Sequence, residues 1–364
     1  MSRHLWRRVG QLIMAGFDGL TIPDDLRTLA REFDLGGVIL FGRNVEAPEQ
    51  VAELAHDARA LSRDVPVWVS VDQEGGRVAR LGAAFTTWPP MRALGESGDA
   101  GLARRFGHAL ARELKAVGIS LDYAPVLDVH TNARNPVIGD RALSAHADEV
   151  ARLGAAIIEG LQDEGVAACG KHFPGHGDTS GDSHHELPVV EHPTERLYEV
   201  ELVPFKSAIA KDVAMIMTAH VLYPMLDDAR PATLSSHIVT SMLRRDMGFS
   251  GVIATDDMSM QAIAADWPVE QATVAALDAG CDLVLLCAAD IEQQVQTLEA
   301  VIQSVETDPR SMKRVEEALR RHEEVKARFL GRLGEDRPLS PRELRGVLSC
   351  DEHAAVADEI GRYV

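Results

Sequence analysis

Residues 171–188 hold the densest group of side chains able to do chemistry in this 364-residue chain. The segment reads KHFPGHGDTSGDSHHELP and carries four histidines and three carboxylates, namely His172, His176, His184, His185, Asp178, Asp182 and Glu186. Its glycines and prolines break any helix, which predicts a long loop, and long loops inside compact domains are usually functional. Because imidazole titrates near neutral pH, the composition indicates acid–base or metal chemistry.

Three interpretations of this loop compete. A metal site would use His172 and His176, but the Phe-Pro-Gly turn between them is incompatible with helical H-E-x-x-H geometry. A purely structural loop would use its histidines to bind backbone groups. Acid–base catalysis is favoured by Asp182 and His184, because an aspartate so close to a histidine can hold one ring nitrogen and leave the other free for proton transfer. We therefore expect neither a metal site nor a cofactor.

A second candidate is the segment GVIATDDMSM, where an apolar strand ends in Asp256 and Asp257. Successive side chains point to opposite faces of a strand, so only one of the two carboxylates should enter a pocket. The residues alone fit two interpretations equally well: a catalytic carboxylate, or two aspartates that cap the following turn.

Two further segments offer polar ligand contacts. In VDQEGGRVAR, Asp72 and Arg80 are suited to binding ligand hydroxyls, whereas Glu74 or Arg77 could equally form a structural ion pair. In the short segment IGDR, Arg141 is the candidate ligand contact. Both segments combine glycine with charged side chains, as expected where a strand opens into a turn.

A fold must position these residues, and the chain alternates apolar runs with amphipathic stretches that suit helices. The eight strand candidates lie at 11–16, 37–41, 67–71, 120–126, 166–170, 214–218, 252–255 and 283–287. Strands that alternate with helices predict parallel βαβ units, and near-continuous hydrophobic runs predict strands buried on both faces. A closed eight-stranded barrel and a doubly wound open sheet both satisfy this pattern.

The polar residues decide between these two architectures. Five strand candidates are followed by chemically capable side chains, namely Asp72, Asp128, Lys171 with His172, His220 and Asp256. Such residues at the carboxyl ends of many strands are typical of a barrel active site, whereas an open sheet gathers them at one crevice. The sequence also lacks the glycine-rich motifs of nucleotide-binding sheets. We therefore predict an α/β fold, a single (β/α)8 TIM-type barrel.

Helix candidates separate the strands and continue beyond the last one. Those between strands include 48–61, 102–117, 147–162, 194–210, 236–247 and 269–278. We assign residues 1–310 to the catalytic barrel and 311–364 to a C-terminal helical extension packed on it. Within the extension, 312–330 is strongly charged and amphipathic, which predicts a solvated helix on the outside of the barrel.

Composition narrows the partners and the location. The chain is 46% hydrophobic, enough for a large core, and its formal net charge of −19 disfavours nucleic acid and anionic membranes as partners. No run approaches the ~18 to 20 apolar residues of a membrane span, and the run at 12–16 is too short for a signal peptide. We expect a cytoplasmic monomer. Its four cysteines lack C-x-x-C spacing, which favours reduced structural thiols over disulfides.

Seven motifs together resemble glycoside hydrolase family 3, and more closely its bacterial single-domain β-N-acetylglucosaminidases of the NagZ type. In the family's order, they are LGGVILFGRN, VDQEGGRVAR, YAPVLDV, IGDR, KHFPGHGDTSGDSHHELP, MTAHV and TDDMSM. The resemblance implies that Asp256 is the nucleophile and that His184 is the acid–base residue, oriented by Asp182. It also implies a set of sugar contacts, namely Asp72, Arg80, Arg141, Lys171 and His172.

The resemblance further implies a retaining double displacement that releases terminal, non-reducing β-linked N-acetylglucosamine through a covalent glycosyl-enzyme. In bacteria such enzymes cut anhydro-N-acetylmuramyl peptides during peptidoglycan recycling in the cytoplasm, which gives the expected substrate. A β-N-acetylglucosaminide phosphorylase is the nearest alternative, because a neutral histidine base repels incoming phosphate less than a carboxylate would. A metal-dependent hydrolase and a non-catalytic sugar-binding protein are the alternatives from other classes.

Overall fold

The computed structural model describes residues 3–62, 65–331 and 337–364. Eight parallel strands close into a barrel in chain order. They are β1 (Ile13–Ala15), β2 (Gly37–Leu40), β3 (Trp68–Val71), β4 (Leu121–Asp122), β5 (Ala167–Phe173), β6 (Met215–Thr218), β7 (Val252–Asp257) and β8 (Leu283–Leu286). Strand β8 closes the barrel on β1, with Met14 opposite Leu285. The predicted TIM-type barrel and all eight strand candidates are confirmed.

The strands are buried on both faces, as their hydrophobic runs predict. Along β2, Ile39 packs inside the barrel, whereas Val38 and Leu40 pack in the layer between the sheet and the helices. The interior continues with Trp68 and Tyr123, both fully buried. Because side chains fill a barrel of this type, its chemistry belongs at an end and not along an axial pore.

Helices form the outer layer and the C-terminal extension. They are Arg3–Arg8, Asp24–Glu32, Pro48–Arg59, Met91–Ser97, Ala100–Ala116, Ala147–Asp163, Thr194–Glu199, Val203–Ala210, His237–Asp246, Gln261–Ala264, Val269–Ala279, Ile291–Thr307, Pro309–Phe329, Pro341–Arg345 and Asp351–Gly361. The one at His237–Asp246 has π-type hydrogen bonding. The helix candidates between strands are confirmed, except that 194–210 is divided.

Two elements of the barrel itself differ from their predictions. The stretch 194–210 forms two helices. Pro204 lies in the first turn of the second one, where its missing N–H is harmless, whereas inside one continuous helix it would remove a hydrogen bond. Strand β5 runs on to Phe173, so that Lys171 and His172 belong to the strand and not to the loop behind it. A rigid element therefore fixes the position of both side chains.

The long helix of the C-terminal extension closes one end of the barrel. Its inner face buries His322 and Lys326. The Lys326 Nζ donates to the backbone carbonyls of Gly36 at 2.9 Å and Pro66 at 2.5 Å, just before β2 and β3. The indole N–H of Trp68 donates to His322 at 2.7 Å. The sequence predicts a solvated helix packed on the outside of the barrel. The helix packs there, but its inner face is buried against the amino-terminal ends of the strands, where its polar groups find partners.

The carboxyl-terminal end of the barrel carries the loops that the motifs predict. After β3 the chain forms an antiparallel hairpin of Gln73–Gly75 with Val78–Ala79. After β5 it enters the predicted long loop, which lasts until the helix that begins at Thr194. Candidate site residues from several strands therefore meet at this end.

Two smaller expectations concern the whole chain. All four cysteines are free thiols, as predicted. Within the described ranges, no helix has both the length and the apolar character needed to cross a membrane.

Candidate active site

Asp256 lies at the end of β7, with two histidines and Lys171 near its carboxylate. Burial opposes its ionisation, but His172, His220 and the N–H of Asp257 together hold its pKa below the ordinary value for aspartate. That N–H donates to Asp256 Oδ1 at 2.8 Å. An ionised carboxylate held at a barrel strand end is chemically fit to act as a nucleophile or to stabilise a developing cation.

Asp257 points elsewhere, as the alternation along a strand predicts. Its Oδ1 accepts from the backbone N–H groups of Cys287 at 3.0 Å and Ser259 at 3.2 Å, which ties β7 to the segment after β8. Burial raises the pKa of the Asp257 carboxyl. Its backbone carbonyl is 3.0 Å from His220 Nε2, and burial lowers the pKa of that imidazole. Asp257 therefore supports the strand end and leaves Asp256 to face the site.

A buried cluster of two cations and two carboxylates joins β3, β5 and the turn Gly139–Arg141. Lys171 Nζ is 2.7 Å from Asp72 Oδ1 and 2.6 Å from Glu74 Oε1. Arg141 forms a two-pronged pair with Glu74, with N–O distances of 2.8 and 2.9 Å. The structure thus brings together three predicted contacts, Asp72, Arg141 and Lys171, and uses Glu74 to hold them.

Exposure separates the roles of the two carboxylates in this cluster. The side chain of Glu74 is 1% exposed, whereas that of Asp72 is 17% exposed and keeps some access to solvent. Burial opposes the charge on Glu74, but Lys171 and Arg141 hold its pKa well below the ordinary value. The sequence leaves Glu74 as an alternative structural ion pair, and the geometry favours that interpretation.

His172 is fixed by a carboxylate that the sequence places at a strand end but does not assign to the site. Its Nδ1 lies 2.7 Å from Asp128 Oδ2, and its backbone N–H donates to Asp128 Oδ1 at 3.2 Å. His172 is also one of the groups that lower the pKa of the Asp256 carboxyl, which places both side chains in the same site. The available signal for Asp128 is its position directly after the YAPVL run, matching that of Asp72 after β3.

The predicted pairing in the D-S-H turn is present. His184 Nδ1 lies 2.7 Å from Asp182 Oδ1, which also accepts the His184 backbone N–H at 2.9 Å. Burial opposes the charge on Asp182, but these hydrogen bonds hold its pKa below the ordinary value. The His184 side chain is 59% exposed, and no hydrogen bond joins it to Asp256 among the described residues. The arrangement leaves Nε2 of His184 free for proton transfer.

Arg80 is the predicted contact that the structure keeps apart from the ionic cluster. Its guanidinium lies over the ring of Phe41, 5.7 Å from the centroid, and its backbone N–H donates to Gln73 Oε1 at 2.8 Å. Arg77 instead pairs with Asp140 at 2.9 Å. This is the structural ion pair that the sequence offers as an alternative role for Arg77. This contact ties the hairpin after β3 to the turn that carries Arg141.

Metal binding can be judged from the donor geometry. Within the three described ranges, no three His, Cys, Asp or Glu side chains are arranged to hold a metal ion. The ring of His176, which the metal interpretation would need, contacts the hydroxyls of Thr179 at 2.8 Å and Ser183 at 3.0 Å.

Comparison with known proteins identifies the kind of enzyme to which this site belongs. The model of the glycosyl hydrolase family 3 N-terminal domain matches residues 4–325. The chain belongs to this family. It is therefore a glycoside hydrolase, and both the predicted family and the predicted enzyme class are confirmed.

Three relatives illustrate the similarity. The β-hexosaminidase of Thiobacillus denitrificans is 42% identical over 281 residues, which cover 76% of this chain and 77% of that protein. The family 3 β-N-acetylglucosaminidase of Paenibacillus sp. str. FPU-7 has a TM-score of 0.93 and 43% identity, over 99% of this chain and 68% of that one. NagZ from Neisseria gonorrhoeae, in complex with N-trifluoroacetyl-D-glucosamine, has a TM-score of 0.76 and 30% identity, over 97% of both chains.

Proposed function

We propose that this family 3 enzyme is a retaining β-N-acetylglucosaminidase, with Asp256 as nucleophile and His184 as acid–base residue. The observation that carries the proposal is that two carboxylates of the site have different roles. Asp256 is held ionised at the end of a barrel strand, whereas Asp182 is used to orient an imidazole. The proposal is supported by the similarity to β-hexosaminidases and to family 3 β-N-acetylglucosaminidases.

The first step transfers the sugar to the enzyme. A carboxylate oxygen of Asp256 attacks the anomeric carbon, and the bond from that carbon to the leaving oxygen breaks. His184 enters the step as an imidazolium, with Nδ1–H on Asp182 and Nε2–H on the leaving oxygen, and it donates the Nε2 proton. Asp182 stabilises the imidazolium by its negative charge. The product is a covalent glycosyl-Asp256 ester and a released alcohol.

The second step returns the enzyme to its starting state. Neutral His184 takes a proton from water at Nε2, the water oxygen bonds to the anomeric carbon, and the ester bond to Asp256 breaks. Two inversions give net retention of the β configuration. Most retaining enzymes use two carboxylic acids at a characteristic separation, and the exposed histidine replaces one of them here.

The remaining predicted residues bind the sugar in this scheme. Asp72 accepts hydrogen bonds from sugar hydroxyls, and Lys171, Arg141 and Arg80 donate to them. His172 offers its Nε2 to the sugar, because Asp128 already holds Nδ1. Charged and bidentate donors of this kind fix orientation as well as affinity.

We propose anhydro-N-acetylmuramyl peptides of peptidoglycan recycling as the substrate, acted on by a monomer in the cytoplasm. The support is the similarity to NagZ from Neisseria gonorrhoeae over nearly the whole chain. The catalytic unit is the barrel, residues 1–310, and residues 311–364 form the helical extension on it.

The phosphorylase alternative has support from one observation. The acid–base candidate is an imidazole and is neutral when it acts as a base, so an incoming phosphate dianion meets less repulsion than at a second carboxylate. Product analysis in phosphate buffer separates the two outcomes, because phosphorolysis yields a sugar 1-phosphate and hydrolysis yields the free sugar.

Replacement of His184 by alanine should expose its acid role through the leaving group. For phenyl β-N-acetylglucosaminide, which needs protonation, we expect kcat/KM to fall at least about 100-fold. For the 4-nitrophenyl substrate, whose leaving group departs as a stable anion, the loss should stay below about 10-fold. Initial rates with the two substrates measure both values.

His185→Ala is the matched control, because His185 is the adjacent exposed histidine and lies 3.9 Å from Asp182. It should leave both kcat/KM values close to those of the wild type. Equal losses on both substrates in His184→Ala would remove the acid–base assignment. Full activity of the wild type in EDTA is also expected, and loss of activity there would favour the metal-dependent alternative.

A further inference from the structure

Ser183, the residue between Asp182 and His184, is the buried anchor of an otherwise exposed turn. It is 2% exposed, whereas the side chains on either side of it face solvent to 30% and 59%. Its hydroxyl is 3.0 Å from His176 Nε2, and its backbone carbonyl accepts the N–H of Ala262 at 3.2 Å. Ser183 therefore attaches the exposed turn to the buried residues beneath it.

His176 is itself held firmly enough to serve as a support. It is 1% exposed, its Nδ1 lies 2.8 Å from Thr179 Oγ1, and its backbone N–H donates to Asp128 Oδ1 at 2.6 Å. Burial lowers the pKa of its imidazole to about 4, so the ring is neutral at pH 7. A neutral imidazole has one donor and one acceptor nitrogen and can bind two hydroxyls at once.

These contacts connect the turn to β5, which carries His172, and to the helix that follows β7 and Asp256. Through His176, Ser183 is connected to Asp128, which also fixes His172 at the end of β5. Through its carbonyl, Ser183 is connected to Ala262, in the short helix that follows β7 and Asp256. One serine thus sets the position of the turn relative to both sides of the site.

We propose that Ser183 is a positioning residue, and that its hydroxyl, held by His176, keeps the Asp182–His184 pair docked where proton transfer to and from the sugar oxygen takes place. The inference rests on the proposed function of His184. Asp182 sets the orientation of the imidazole ring, and Ser183 sets the place of the turn that carries it. Loss of the anchor should therefore impair only those steps that need His184.

Ser183→Ala removes the hydroxyl and leaves the backbone contact to Ala262 intact. We expect kcat/KM for phenyl β-N-acetylglucosaminide to fall about 10-fold, the effect of one well-formed hydrogen bond, and that for the 4-nitrophenyl substrate to change less than about 2-fold. A structural defect would lower both values together. An equal loss on both substrates would therefore overturn the proposal.

Two substitutions of His176 provide a matched pair that does not depend on the folding of Ser183→Ala. The amide nitrogen of asparagine reaches the place of Nδ1, and that of glutamine reaches the place of Nε2. His176→Gln should therefore keep the contact to Ser183 and remain within about 3-fold of the wild type on the phenyl substrate, whereas His176→Asn should lose about 10-fold. Equal behaviour of the two variants would contradict the role of the Nε2 contact.

The double variant Ser183→Ala/His184→Ala tests whether the serine acts through the histidine. On the phenyl substrate it should be no slower than His184→Ala alone, because residues that act as a unit are non-additive. A further 10-fold loss would overturn the proposal. If His184→Ala itself shows no dependence on the leaving group, the proposed function fails. If it shows that dependence and Ser183→Ala does not, only the positioning role fails.

Discussion

Asp256→Ala should reduce kcat for 4-nitrophenyl β-N-acetylglucosaminide by at least about 10⁴-fold, as expected when a nucleophile is removed. The physical reason is that the adjacent carboxylate of Asp257 cannot take its place. Asp257 is turned toward the backbone of Cys287 and Ser259, and burial raises its pKa. Steady-state release of 4-nitrophenol measures the loss.

Azide separates the two catalytic roles by the configuration of the product. In Asp256→Ala, azide can enter the space left by the carboxylate and attack once, giving the α-glycosyl azide. In His184→Ala the covalent intermediate still forms, and azide attacks it without needing a base, giving the β-glycosyl azide. Identical configurations from the two variants, or an active Asp256→Ala enzyme without azide, would contradict the assignment of Asp256 as nucleophile.

The barrel could be predicted because each of its strands is marked by a pattern of neighbouring residues in the sequence. Each strand is a continuous apolar run, and polar residues such as Asp72 and Asp256 appear directly where a run ends. The C-terminal helix is different, because His322 and Lys326 look like solvent-facing residues in the sequence. They are buried because Trp68, Gln11 and two backbone carbonyls, all far away in the N-terminal part of the chain, supply partners. No local pattern carries that information.

The same distinction holds in the site. The pairing of Asp182 with His184 could be predicted from their spacing, since it is made within one turn. The support given by Asp128 to His172 and by His176 to Ser183 could not, because those contacts depend on the path of the loop in three dimensions. Motifs therefore identify the residues that react, whereas the structure identifies those that hold them.

Glu74→Gln should cost about 3–5 kcal/mol of unfolding free energy at pH 7, because it breaks a buried pair and leaves charge without its partner. The substitution preserves the shape of the side chain, but it removes the negative charge that lies between Lys171 and Arg141. Denaturant unfolding of the two proteins measures the difference. We also expect kcat/KM to fall, since both cations lose their fixed positions in the sugar site.

Asp140→Asn is the matched control, as it makes the same chemical change in a carboxylate that pairs with Arg77 at the surface. Both side chains of that pair are more than two-fifths exposed, at 48% and 42%, so the expected change is below about 1 kcal/mol. A loss as large as that of Glu74→Gln would mean that burial is not the cause.

Lowering the pH should reduce the loss of unfolding free energy caused by Glu74→Gln. This direction follows from the lowered pKa of Glu74 in the folded protein. The folded protein holds the pKa of Glu74 well below the value of about 4.3 that glutamate has in an unfolded chain. The ionised Glu74 carboxylate therefore contributes its full stabilisation at pH values above the unfolded pKa. That contribution is lost as the pH falls toward the folded pKa. Between pH 4.3 and 3.3, the difference between wild type and variant should narrow by about 1 kcal/mol, because the unfolded glutamate is already half protonated at pH 4.3. An unchanged difference would show that Glu74 is not ionised in the folded protein, and that Lys171 and Arg141 are held by other means.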